Sequence, residues 1–365
     1  MTDGAQKYLL RLFAVMGVFI AAVALVNWVI NPLGIYRPPV IAGLNDTHPA
    51  AQLYAFIQKV ETVKRLKPDA IITGTSRAEI CLDPKPEFFP GLVPYNFALA
   101  AASVNEQRMA LEFAQAVHPL KQAVITLDFF AFDARKKDTP AYDAARLSHE
   151  ALSPVRALHD TYLPLLTIDA LDASFKQVKF KRTPERFSYT KENGAKVPND
   201  FDYIAKKAGA GWPFGRRRFT NPDEGTATRA LGSRALGHFR AMIDFAYKNN
   251  IDARFVILPL HRTYFDMLRT TGQDDFAKKW EQMLRRILRK AGEDAGRPPF
   301  HLWDMSDRRA YSGETVPAAG DRETEMKWFW DPGHCKAALG DIVLRQVLSP
   351  LASRSQENGE KTEAP

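Results

Sequence analysis

Two short stretches carry side chains suited to acyl-transfer chemistry. Residues 71–80 read IITGTSRAEI and place Ser76 on a small-residue turn behind two isoleucines. Residues 328–335 read WFWDPGHC and set Asp331 and His334 on either side of a Pro-Gly pair. A serine hydroxyl is a weak nucleophile until a base takes its proton, and that base works best when a third group fixes its tautomer. Ser76, His334 and Asp331 have the right chemistry for nucleophile, base and orienter. Each also has an ordinary reading. Ser76 could cap the N-terminus of the next helix, as serine commonly does, and His334 could cap the helix start that follows it. Arg77 could hold an anionic substrate group or pair with a carboxylate, and the pair is favoured. Asp128 reads as structural and His261 as a surface histidine.

Meeting of the two stretches requires a fold that brings distant segments to one edge. Residues 51–66 place Leu53, Phe56, Ile57, Val60 and Val63 on one helical face. Strands are expected at 69–73, 93–97, 122–130, 254–258 and 301–303, with helices at about 103–117, at 227–248, around Trp280, Leu284 and Leu288, and from Leu339 to Val347. Strands separated by helices imply an α/β fold with a mostly parallel sheet covered on both faces. In such sheets ligands gather at the carboxyl ends of strands. Ser76 follows the first strand, and the Asp331–His334 turn is expected on a strand-to-helix connection at the same edge.

Residues 12–30 form an uncharged apolar run whose strongly polar member is Asn27, close to the ~20 residues that cross a bilayer core. Small residues at Ala22 and Ala24 allow a cleaved signal peptide. The run continues past them to Trp28, which favours one retained transmembrane helix. Lys7 and Arg11 precede it, so residues 1–11 are expected in the cytoplasm and the main domain in a bacterial periplasm. Residues 31–49 read as a linker, 50–352 as the main domain, and 353–365 as a polar disordered tail.

The α/β pattern breaks at about 134–226. One or two helices fit 152–178, and 176–219 reads as mostly irregular. That stretch has twelve Lys or Arg against four Asp or Glu, an excess equal to the +8 formal charge of the whole chain. Aromatic residues interleave with the basic ones, a pattern that can bind nucleic acid. Outside the cytoplasm an anionic or neutral envelope glycan, lipid headgroups or a partner protein fit better, and a solvated charged face is the plain alternative. Eight scattered histidines show no metal-ligand spacing, so no metal and no cofactor is expected.

GTSR after a strand, Asn96 in PYNFALA after the next, and DPGH before the last helix together resemble the SGNH/GDSL hydrolase superfamily. Within it the chain is similar to the membrane-anchored exported branch that includes alginate O-acetylation and teichoic-acid D-alanylation proteins. The resemblance covers about 67–130 and 250–350. It implies a three-layer α/β/α sandwich and a Ser76–His334–Asp331 triad. It further implies a periplasmic esterase or O-acyltransferase working on acyl, chiefly acetyl, esters of an envelope polysaccharide, with a membrane-bound acyl donor as partner. A non-catalytic binding or scaffold subunit is the alternative. The family's oxyanion hole uses a glycine and an asparagine that this chain lacks at the expected places, so Asn96 is the candidate substitute. If the triad assembles, Cys81 and Cys335 approach one another and could form a disulfide.

Overall fold

The structure is a computed structural model that describes residues 3–349 apart from 141, 216–229, 308 and 319. The expected tail at 353–365 and the side chain of Leu53 lie outside the described residues. Helix α1 (Asp3–Ile30) is long and apolar enough to cross a membrane.

The body of the protein is α/β. Strands β1 (Ala70–Thr73), β2 (Pro94–Asn96), β3 (Gln122–Thr126), β6 (Asp252–Ile257) and β7 (Leu302–Asp304) form one sheet in the order β2-β1-β3-β6-β7. Every neighbouring pair is parallel. A two-stranded antiparallel ribbon, β4 (Tyr189–Thr190) with β5 (Lys196–Val197), lies in the 134–226 segment. Successive strand residues alternate between two apolar clusters, as the two-residue side-chain period requires. Ile71, Ile125 and Phe255 point into one cluster, and Ile72, Val124 and Val256 into the other.

The first cluster is closed by α2 (Ala55–Leu66), α4 (Val104–Val117) and the helices Ser233–Lys248 and Asp274–Ala295. Helix α4 starts where it does because Ser103 and Glu106 form a reciprocal capping box. The second cluster is closed by the short helix α3 (Ser76–Cys81) and the closing helix Ala337–Val347. At the amino edge of the sheet, Asp69 accepts from the Val93 N–H at 2.7 Å and pairs with Lys121 at 2.8 Å. That carboxylate aligns the starts of β1, β2 and β3.

Besides small changes of boundary, such as the helix expected at 227–248 starting at Ser233, three expectations shift. The third strand stops at Thr126, because Asp128 is drawn into side-chain bonds and 129–132 coil into a 3-10 turn. Residues 49–54 are 3-10 before α2 begins at Ala55. The 134–226 segment contains α5 (Pro154–Tyr162), α6 (Ile168–Phe180) and, in the part expected to be irregular, α7 (Asn199–Ala208). Asp200 and Asp202 in the first turn of α7, with Lys206 and Lys207 in its last, match the helix dipole.

Candidate active site

The turn after β1 is shaped by what each residue can tolerate. A Cβ on Gly74 would sit 1.9 Å from Thr126 Oγ1, so the closeness of the neighbouring strand end demands glycine. Thr75 is the N-cap of α3: its Oγ1 accepts from the Arg77 N–H at 3.3 Å and its hydroxyl donates to Asp128. Ser76 is therefore the first residue of the helix and not its cap. Its Oγ lies 3.0 Å from His334 Nε2.

The other half of the site is a tight hairpin. The Trp330 N–H donates to the His334 carbonyl at 2.9 Å and the Lys336 N–H to the Trp328 carbonyl at 2.8 Å, which leaves Asp331, Pro332 and Gly333 at the tip. Asp331 Oδ1 accepts the backbone N–H groups of Gly333 and His334, each at 2.8 Å. Its Oδ2 lies 2.8 Å from His334 Nδ1. With Nδ1–H donated to the carboxylate, Nε2 presents its lone pair to the Ser76 hydroxyl. Burial pushes the Asp331 pKa up, but His334 and the two backbone donors outweigh it and hold it below the ordinary carboxylate value.

Arg77 locks these halves together. It is buried, and it forms an ion pair with Asp128 at the end of β3. Its Nε donates to the Gly333 carbonyl at 2.8 Å, and its Nη2 to the carbonyls of Leu258 and Pro259, just past β6, at 3.0 and 3.1 Å. One guanidinium thus ties three strand ends to the hairpin tip. The carboxylate pairing is what occurs, against a substrate-binding role for Arg77: four of its five guanidinium N–H groups are engaged inside the protein. The His261 N–H adds a bond to the Pro332 carbonyl at 3.0 Å.

Asn96 also departs from its expected role. It is fully buried, its amide donates to the carbonyls of Ala78 at 2.9 Å and Leu82 at 2.7 Å, and its Oδ1 accepts from the Ala98 N–H. Both donor hydrogens are used, so Asn96 braces α3 from behind and has none left for an oxyanion. The Ser76 N–H and the N–H groups of Ala100 and Ala101 have no hydrogen-bond partner among the described residues. The Leu99 N–H, donating to the Gly74 carbonyl at 3.1 Å, pins that loop beside the Ser76 turn.

Cys81 and Cys335 form a disulfide with a Cα–Cα distance of 5.2 Å. It joins the end of α3 to the residue after His334. His261, expected on the surface, is fully buried instead. Its ring lies against Phe214 and Phe329, its Nε2 is 2.7 Å from the Glu314 carbonyl, and its Nδ1 caps the helix Arg262–Thr270. Burial lowers its pKa, in keeping with a neutral ring that donates through Nε2.

Two contributors were not foreseen. Phe201, on α7, sits edge-on to His334 with centroids 5.5 Å apart and also meets Trp330. The 134–226 segment therefore walls the site, and the cleft beside it is lined by Asp202, Lys206, Trp330 and Lys336. Lys59, fully buried behind the Ser76 turn, pairs with Glu79 at 3.2 Å and donates to the Ala98 carbonyl at 2.6 Å. Its position three residues after Phe56 put it on the inward face of α2, where a charge demands a partner. No protein-family model and no curated protein matches this chain.

Proposed function

We propose that the protein is a membrane-tethered serine esterase or O-acyltransferase of the SGNH type, acting on acyl esters of a cell-envelope polysaccharide. The observation that carries this reading is the continuous hydrogen-bonded chain Ser76–His334–Asp331, whose first two members are 258 residues apart in sequence. Two apolar clusters on opposite faces of a parallel sheet support the three-layer sandwich of that family.

In this mechanism Ser76 Oγ attacks the ester carbonyl carbon while its proton passes to His334 Nε2. Asp331 stabilises the resulting imidazolium. The tetrahedral intermediate collapses, the alcohol leaves with the proton from His334, and the acyl group stays on Ser76. Water or a sugar hydroxyl, deprotonated by His334, then attacks the acyl-enzyme and restores the serine. The oxyanion donors are the Ser76 N–H and the N–H of Ala100 or Ala101. Tethering through α1 and the aromatic wall around Phe201 and Trp330 suit a polymeric glycan, with a membrane-bound protein as acyl donor. Lys7 and Arg11, in the first turns of α1 and ahead of its apolar run, orient the domain to the periplasm, and a disulfide suits that oxidising compartment.

A non-catalytic scaffold role is the second reading. It is favoured by the loss of a side-chain oxyanion donor, since both Asn96 donor hydrogens are committed elsewhere and Asp128 is an ion-paired carboxylate that only accepts. Loss of one such donor costs a rate factor of about 100 or more. Turnover of p-nitrophenyl acetate by the full-length protein decides between them. Ser76→Ala is expected to reduce it by a factor on the order of 10⁴ or more with the fold intact, and equal background rates in both proteins would discard the enzyme.

A further inference from the structure

We propose that α5 and the turn after it are a lipid-embedded platform, seated in the outer interface of the bilayer that α1 crosses. The proposal rests on reading α1 as a retained membrane span and is independent of the chemistry at Ser76.

Helix α5 has its amphipathic faces the wrong way round for a water-facing helix. Val155, Leu158 and Tyr162 recur at helical spacing on one side and are exposed, Val155 at 80%. Asp160, on the other side, is 1% exposed. It is held by Arg156 at 3.0 Å and lies 3.6 Å from Arg146, which in turn approaches Glu61 of α2. The polar side thus docks onto the body and the apolar side faces outward, as in helices that lie in a membrane interface. The apolar strip continues through Leu163, Leu166 and Ile168, the last 82% exposed.

The occupant is identified by what this strip adjoins. Asn27 stands inside the apolar run of α1, three residues before its end, so about 4.5 Å below it at 1.5 Å per residue. Its amide donates to the Leu165 carbonyl at 2.8 Å, and its Oδ1 accepts from the Ser174 hydroxyl at 2.9 Å. The Tyr36 hydroxyl adds a bond to the Thr161 carbonyl at 2.8 Å. The turn carrying Leu163 and Leu166 is therefore bonded to α1 at the depth where hydrocarbon gives way to headgroups. The buried polar pair satisfies Asn27 without water, and the outward side chains beside it meet lipid. Because the platform is joined to α1 on one side and to α2 on the other, it sets the tilt of the α/β body over the membrane.

The test uses the full-length protein in phosphatidylglycerol–phosphatidylethanolamine vesicles. Both native cysteines are in the disulfide, so single cysteines at Val155, Leu163 or Ile168 can carry a nitroxide. Phe19 of α1 serves as the lipid reference and Ile342, on the closing helix, as the aqueous one. The expected result is a several-fold lower collision rate with a water-soluble nickel chelate than at Ile342, and oxygen accessibility approaching that at Phe19. Chelate accessibility equal to that of Ile342 would overturn the platform. So would shielding from both reagents, which would point to a protein partner. An aqueous signal at Phe19 would overturn it through the loss of the span itself, an outcome recognisable as separate.

Discussion

Ser76 is available for chemistry because its neighbours absorb the structural duties of the turn. Thr75 caps the helix, Gly74 makes room for Thr126, and Arg77 and Asp128 bind the strand ends together. A buried charge left without its partner costs about 3–5 kcal/mol, so Arg77→Met is expected to destabilise the full-length protein by that order in denaturant titration. It should also lower turnover, since the Gly333 carbonyl loses the donor that holds the hairpin tip. A variant as stable as the native protein would show that the Asp128 charge is relieved in some other way. Ser76, His334 and Asp331 were legible as residue types at suitable spacings. The roles of Asn96 and His261 were not, because burial and hydrogen-bond partners decide whether a polar group faces a substrate or the protein interior.

The two elements that form the site, α3 and the hairpin before the closing helix, are held in register by the Cys81–Cys335 bond. They pack closely: a Cβ on Gly340 would come within 1.7 Å of the Cys81 carbonyl oxygen. The bond closes a loop spanning 254 positions, and loss of a disulfide across a long loop typically costs about 2–5 kcal/mol. Cys81→Ala with Cys335→Ala is expected to lower unfolding stability within that range and to reduce turnover by loosening the Ser76–His334 distance. Unchanged stability and activity would mean that Arg77 and the Gly340 contact suffice. Most strands and the helices over the first cluster were readable from hydrophobic period. Helix α7 was not, although Phe201, Ile204, Ala205 and Ala208 fall at helical spacing, because its ten residues lie in a basic stretch with no longer apolar pattern around them. That spacing and its end charges were the available clues.

Across the whole molecule, stability is coupled to pH through His48, near the end of the linker. Its Nδ1 has no partner among the described residues, and burial, seconded by the nearby Lys181, lowers its pKa to about 4. An unfolded histidine titrates near ~6.5. Above that value both states are neutral; below it the unfolded chain binds the proton first, so stability falls with pH until about 4. Allowing for its partial exposure, native protein should lose on the order of 2 kcal/mol more than His48→Gln between about pH 6.5 and 4. Parallel stability curves for the two proteins would refute it. The same scale separates what sequence and structure each contributed. The α/β class, the apolar N-terminal helix and the candidate triad follow from local period and residue type, since these depend on near neighbours in the chain. The seating of α7 over His334, the inverted faces of α5 and the spending of Arg77 and Asn96 inside the protein were decided only by tertiary structure. Each depends on which distant surface a side chain meets, and short-range patterns do not encode that.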